Sequence, residues 1–349
     1  MNSIPKILIL PEYGADRAWH GSAYIRLLRP LEHPEVLGGR AVFEVRHAFS
    51  SQFGADIVVV ERNWRPDIDI RIAEGLIGEV RRAGAKLWWT LDDNLFDQHP
   101  VQQTEANLSE LRPVARLFAR EADAVLVSTD ALARRVSRIA RRCVVLPNLL
   151  DERLFGELPR PDVQASVKRI GYLGTFTHGP DLASIMPALA EALSRHEDWG
   201  FELLGVTSAV NLIPRAVASR MRVIGNYPAP YPEFLPWIAG NLKWSIGIAP
   251  LLPGEFNDCK SDIKLLDLGV IGSAGACADL PAYAATARAA GTSHAAAGDV
   301  EGWLGMLDAL MADRDLRIHH ARKLREYLLG CRTLRAAGAM WRAELSKVL

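Results

Sequence analysis

Along the chain, short apolar runs alternate with longer segments in which apolar and polar residues recur at helical spacing. KILIL (6–10), ADIVVVE (55–61), AKLWWTL (85–91), ADAVLVS (122–128) and CVVLP (143–147) are apolar almost throughout, as strands covered on both faces are. Each run after the first follows a segment long enough for a helix or crossover, which is the signature of parallel βαβ units. A stretch carrying Pro and charge, DERLFGELPRPDVQASVKR, interrupts the pattern. It then restarts with RIGYLG (169–174), FELLGV (201–206), MRVIG (221–225), WSIGIAPL (244–251) and AGACAD (274–279). The pattern predicts an α/β chain with Rossmann-like parallel-sheet domains at residues 1–155 and 156–330, and an amphipathic helix at 331–349 that packs back on the first. Two such domains facing each other leave a central cleft lined by the carboxyl ends of strands, where doubly wound folds bind ligands.

Composition narrows the class. With 49% hydrophobic and 23% charged residues in 349, the chain suits two ordinary cores rather than disorder. Lys+Arg and Asp+Glu balance at 41 each, so net charge gives no reason to expect a nucleic-acid partner. Cys143, Cys259, Cys277 and Cys331 lack C-x-x-C pairing or histidines at zinc spacing, and read as reduced thiols of a cytoplasmic protein with no metal. The opening MNSIPKILILPEYG has too short an apolar run for a signal peptide, and no run of about 18 apolar residues follows. A soluble or peripheral protein is expected.

Candidate chemistry concentrates in four segments. In FNDCKSDIKLLDLGVIG (256–272), a helix beginning near Ser261 would set Lys260, Lys264 and Asp267 on one arc, with Ile263, Leu266 and Val270 opposite. Asp258 or Ser261 would cap it, and free N–H groups beside two lysines attract phosphate, although a solvated charged face has the same pattern. In GTFTHGPD, Gly174 and Thr175 end a strand in a tight loop open to phosphate, and His178 either donates to phosphate or closes a turn. WTLDDNLFD places Asp92 and Asp93 at a strand end, as loop caps or as carboxylates for chemistry. WHGSAYIRLLRPL sets His20, Gly21 and Ser22 at the first helix start. Most of the nine tryptophans are expected in the cores.

In order and spacing, ADAVLVSTDALARRV, CVVLPNLLD, IGYLGTFTHGPDL and IGIAPLLPGEFNDCKSDIKLLDLGVIG with ADLPAY beyond it resemble glycosyltransferase family 4, most closely a subgroup with a K-S-x-I-K-x-L-E donor segment. The resemblance covers most of the chain and implies the GT-B architecture. It also implies a retaining glycosyltransferase of hexosyltransferase type, moving sugar from a nucleotide-sugar donor to a carbohydrate, lipid-linked or small-molecule acceptor without a cofactor or metal. Polysaccharide biosynthesis is the implied setting. On the same footing Gly174, Thr175, His178, Lys260, Ser261, Lys264 and Asp267 bind donor, Asp267 standing where the family's E-x7-E pattern has its second glutamate. Asp92 and Asp93 lie beside the transferred sugar, and His20, Gly21 and Ser22 lie on the acceptor side. Cys259 occupies the first glutamate's place, so either Asp258 or Glu255 substitutes or the sugar is gripped differently. GSAGACAD departs from the family's strand there, and β-propensity disfavours it.

Two other readings stand beside this one: a sugar-nucleotide 2-epimerase, for which no acidic and histidine cluster is visible, and a catalytically silent GT-B subunit or sugar-nucleotide binder. In ALARRVSRIARR (131–142), Arg134, Arg135, Arg138, Arg141 and Arg142 would ring a helix whose Leu132, Val136 and Ile139 are buried. This is either a solvated face or, with Arg26 and Arg29, a contact for anionic membrane.

Overall fold

Each of the ten apolar runs forms a strand in the computed structural model, which describes residues 4–97, 105–205, 218–225, 227–228 and 230–347. β1 (Lys6–Leu10), β2 (Val42–Val45), β3 (Ile57–Glu61), β4 (Lys86–Leu91), β5 (Ala124–Val127) and β6 (Cys143–Val145) make a parallel sheet in the order β2-β1-β3-β4-β5-β6. Alternate side chains serve two cores, one on each face of the sheet, as a period of two requires. Ile7, Ile9 and Trp88 pack with Leu334, Trp341 and Leu345, whereas Leu8, Val58 and Trp89 pack with Ile77, Val114 and Phe118.

A second parallel sheet contains β7 (Arg169–Leu173), β8 (Gly200–Leu204), β9 (Met221–Ile224), β10 (Ile246–Ala249), β11 (Ala274–Ala278) and β12 (Ser293–Ala295), in the order β12-β11-β10-β7-β8-β9. β2 and β12, which the apolar pattern does not reveal, are edge strands. Val42 is 47% exposed and β12 is three residues long, so neither supplies a buried run to recognise.

The chain divides into one compact unit of Met1–Asp151, Cys259–Ser261 and Thr333–Leu349, and another of Glu152–Asp258 and Asp262–Arg332. The small residues of β11 have a packing reason. A Cβ on Gly275 would lie 2.9 Å from Thr292 Cγ2 and 3.3 Å from a methyl of Leu324, on the helix Arg314–Cys331 that covers this strand. Close approach, not strand propensity, selects alanine and glycine there.

Three local expectations are corrected. The helix Asp130–Val136 stops before Ile139, which is 37% exposed and not part of a buried stripe. Arg26 is 1% exposed inside the first domain, and Arg29 is ion-paired to Asp151 at 2.6 Å, so neither joins a surface arginine face. Arg134, Arg138, Arg141 and Arg142 are exposed, while Arg135 pairs with Asp97. Among the described residues, no helix is long and apolar enough to cross a membrane.

Candidate functional site

In a doubly wound sheet, loops diverge where strand order reverses, and ligands bind at the carboxyl ends there. In the first sheet this point lies between β1 and β3. The β3 strand ends in Glu61 and runs into two non-glycine residues in the left-handed region, Arg62 at φ 45° and Trp64 at φ 61°. Such a conformation costs about 1–3 kcal/mol per residue and persists only where the surroundings fix it. Here Arg62 N–H donates to Thr90 O at 2.9 Å, the Trp89 indole donates to Arg62 O at 2.8 Å, and the Trp64 indole donates to His47 O at 2.9 Å.

The strained turn aims the Arg62 guanidinium into a group of carboxylates. It lies 3.2 Å from Glu12 Oε2, 2.7 Å from Asp93 Oδ2 and 3.6 Å from Asp92 Oδ1. Lys260 Nζ meets the other oxygen of Asp93 at 3.1 Å. Glu61, fully buried, accepts the Glu12 N–H at 2.8 Å. Arg26 donates to Leu146 O, and to Asn148 Oδ1 at 3.0 Å.

Charge is unevenly shared in this cluster. Burial, reinforced by the Glu12 charge, pushes the Glu61 carboxyl up to about 8, so it is mostly protonated at neutral pH. Burial also raises Asp92, against Arg62 and with Asp93. Burial works against ionised Glu12 too, but Arg62 and His20 outweigh it and hold Glu12 below the usual carboxylate range. For Arg62, burial is likewise outweighed, by Glu12, Asp93 and Asp92, and the guanidinium stays charged. Burial lowers Arg26 to about 10. The result is a preorganised polar end to the sheet, able to bind hydroxyl groups and to face positive charge.

Glu12 and His20 also line a cavity of about 320 Å³, together with Tyr13, Gly14, Asn63 and Arg65. The loop between them is tied by its backbone, His20 N–H to Glu12 O at 3.0 Å and Gly14 N–H to Ala18 O at 3.0 Å. His20 precedes the helical residues 21–32 without capping them through its side chain, and the nearby Ser22 hydroxyl is buried without a partner.

The second sheet reverses order between β7 and β10. After β7 the chain passes Gly174, where a Cβ would meet the Tyr172 hydroxyl at 2.9 Å. Beside it Gly205, at φ 87°, approaches Gly174 O so closely that a Cβ would lie 2.3 Å away. His178 is paired to Asp181 at 2.7 Å, and the other oxygen of Asp181 accepts the Leu252 N–H at 2.9 Å, joining the loops after β7 and β10. Thr175 Oγ1 is exposed, 2.9 Å from Thr177 Oγ1.

The helix of the segment 256–272 is Ile263–Ile271, two residues shorter at its start than expected. Lys260 and Ser261 precede it, so the single face of Lys260, Lys264 and Asp267 is not formed. Lys260 is engaged by Asp93, and Ser261 Oγ accepts from Asn148 at 2.9 Å. Neither Asp258 nor Ser261 caps the helix. Asp262 holds that position, but its carboxylate is turned to Arg332, at 2.7 Å for Oδ1, and to Thr286. Lys264 Nζ lies 3.3 Å from the Tyr172 hydroxyl and 5.1 Å from that ring's centroid. Asp267 is buried, with one carboxylate oxygen unpartnered. Burial pushes its carboxyl up to about 8, although Lys264 opposes the shift.

Sequence reasoning missed Glu12, Glu61, Arg62, Tyr172 and Asp181. For the first three a signal exists: a charged residue ending, or within two positions after, an apolar run that reads as a fully covered strand.

A comparison with protein-family models finds no match, and a comparison with curated protein sequences finds none either. Solved structures do match over the whole chain. A sucrose-phosphate synthase from Thermosynechococcus elongatus superposes with a TM-score of 0.68 at 12% identity, covering 99% of this chain and 98% of that one. HepE from Anabaena, solved with UDP and glucose, gives 0.69 at 14% identity over 99% and 100%. A glycosyltransferase from Rickettsia africae ESF-5 gives 0.63 at 12% identity over 99% and 98%. The fold is GT-B, with two Rossmann-like parallel-sheet domains.

Proposed function

We propose, from a fold shared end to end with glycosyltransferases, that the protein transfers a hexosyl group from a nucleotide-sugar donor to a carbohydrate, lipid-linked or small-molecule acceptor. The observation that carries this reading is the full-length likeness to HepE, whose structure holds UDP and glucose. The order of motifs supports placement in family 4, with retention and without a metal. The donor's diphosphate is assigned to the loop at Gly174 and Thr175 and to Lys264, whose ammonium offsets charge on the departing nucleotide. Asp267 faces the ribose as a neutral carboxylic acid, able to donate as well as accept. The first domain carries Asp92 for the developing positive charge at the anomeric carbon.

Titration with UDP and UDP-glucose by calorimetry tests the donor assignment. Lys264→Ala is expected to weaken UDP binding by about 1.5–3 kcal/mol, the range for a hydrogen bond to a charged group, with the melting temperature within a few degrees of the parent. Unchanged affinity in that variant would remove Lys264 from the site. A parent that binds UDP-glucose and releases no sugar would be the silent binder, a reading favoured by the engagement of Asp93 with both Arg62 and Lys260.

The acceptor is proposed to be reached at the cytoplasmic face of a membrane, through the exposed Arg134, Arg138, Arg141 and Arg142. Each contributes on the order of 1 kcal/mol near an anionic surface. Co-sedimentation with phosphatidylserine vesicles is expected at low salt and is lost at high salt. Equal binding to neutral vesicles, or none to either, would point to a soluble acceptor.

A further inference from the structure

The donor assignment uses Lys264 and Asp267 but not the residue that precedes their helix. Asp262 stands at the N-cap position of Ile263–Ile271, where an aspartate is well suited to accept the N–H of the second or third helical residue. It does not cap. Its Oδ1 accepts from Arg332 Nη2 at 2.7 Å, and its Oδ2 accepts from Arg332 Nη1 and from the Thr286 hydroxyl. Asp262 is buried, and its surroundings come from Thr286 on the helix Pro281–Ala290, Tyr327 on the helix Arg314–Cys331, and Arg332 at the end of that helix. The Tyr327 hydroxyl lies 3.1 Å from Arg332 Nη1 and 3.3 Å from Thr286 Oγ1. Burial works against the charged guanidinium, but Asp262 and Tyr327 outweigh it, and it stays charged. The helix end that Asp262 leaves uncapped adjoins the loop after β7, because the Tyr172 hydroxyl lies 3.3 Å from Lys264 Nζ and 2.9 Å from where a Cβ on Gly174 would stand. One turn along the helix, Asp267 is 5% exposed and holds a carboxylate oxygen without a partner.

We infer that Arg332 is a positioning residue for the donor's diphosphate: by holding Asp262 away from the helix end, it keeps a competing anion out of the place the diphosphate takes. The inference rests on the nucleotide-sugar reading, with the diphosphate at Lys264. A helix start carries partial positive charge and unpaired N–H groups that favour an anionic ligand. A capping carboxylate would satisfy the same N–H groups and cancel the same charge. Arg332 prevents this twice over, by fixing both carboxylate oxygens and by neutralising their charge at short range. It acts through Asp262 and needs no contact with the donor. Without Arg332, Asp262 keeps only Thr286 among these partners and turns to the N–H groups of its own helix.

The test compares binding of UDP with binding of uridine, which lacks the diphosphate, to the full chain, by calorimetry and by ligand-observed NMR for the weaker ligand. Arg332→Met is expected to weaken UDP binding by about tenfold, the scale of a charge at a partly buried helix end, and to leave uridine within about twofold of the parent. Adding Asp262→Asn to Arg332→Met is expected to return UDP affinity to within about threefold of the parent, because an amide brings no charge to the helix end. A purely structural role for Arg332 gives no such rescue. Arg332→Met leaves a buried carboxylate without its cation; if that variant does not fold, Arg332→Lys takes its place. A single ammonium cannot hold both oxygens as the guanidinium fork does, so UDP affinity falls by a smaller factor that Asp262→Asn again restores. Unchanged UDP affinity in the folded Arg332 variant overturns the proposal. UDP and uridine weakened alike, or no recovery of UDP affinity in the double variant, makes Arg332 a structural residue and equally overturns it. In each of these cases the parent's own binding of UDP leaves the nucleotide-sugar reading standing. A parent that binds no nucleoside diphosphate overturns the reading and the proposal with it.

Discussion

Arg62→Ala is expected to destabilise the first domain by about 3–5 kcal/mol, the penalty for removing one partner from a buried ionic group. The guanidinium is the common neighbour of Glu12, Asp92 and Asp93, and without it Lys260 still pairs with Asp93 and acts on Asp92 only through its charge. Glu12 would keep His20, and Asp92 only the charges of Arg26 and Lys260, so both carboxylates would lose their nearest cation and their protonated forms would be favoured. Arg62→Lys should recover a minority of the loss, since a point charge cannot span three acceptors as a planar fork does. Urea unfolding followed by hydrogen exchange at β3 and β4 measures the effect. A loss below about 1 kcal/mol, the scale of surface ion pairs, would show that solvent already screens the cluster.

The second large effect is a fall in stability as pH rises. Glu61 is pushed up to about 8 by burial in the folded chain, against 4.5 for an ordinary glutamate, and Asp267 to about 8 against 3.8. Between those limits the folded state keeps a proton that the unfolded chain has released, so rising pH favours unfolding. The stabilisation is complete below about pH 4 and is lost as pH approaches 8, on the order of a few kcal/mol for each group. Glu61→Gln should flatten this slope in the first domain and Asp267→Asn in the second, each variant matching or exceeding the parent at pH 8. Denaturant midpoints from pH 5 to 8, with exchange at β3 and at the helix Ile263–Ile271 as domain readouts, decide it. A parent whose stability is level or rises over that range would mean that both carboxyls are ionised in the folded chain.

The fold was legible because strands covered on both faces leave unbroken apolar runs, and ten of twelve strands announced themselves this way. β2 and β12 did not: β2 opens on the exposed Val42 and β12 is Ser-His-Ala, polar at two of its three positions, whereas β6 and β9, also at sheet edges, carry apolar runs. Of the candidate site, the loops could be placed but not the partners. Lys260 and Lys264 look equivalent at helical spacing, but the helix begins after the first, because Asp262 turns its carboxylate to Arg332 and the 3-10 turn Asn257–Cys259 ends before Lys260. The Arg62 cluster was invisible for a different reason. Asp93 meets Arg62 across 31 residues and Lys260 across 167, and Glu12 meets Glu61 across 49, and no local period links residues that meet only when β1, β3 and β4 are paired.

The helix Leu334–Leu345 completes a core begun by Ile7 and Ile9, and Glu35 meets Arg342 across 307 residues of sequence. During synthesis at ~5–20 residues per second, the first strands therefore wait on the order of tens of seconds for the side chains that cover one of their faces. Trp341, whose indole donates to Pro147 O at 2.9 Å and whose ring lies 5.6 Å from the Arg26 guanidinium, arrives near the end of that interval. The second sheet and its helices are made from chain lying between, so that domain can close first. On the ribosome the order of folding is thus the reverse of the order of synthesis, and the exposed strands of the early half are where a chaperone would be needed most.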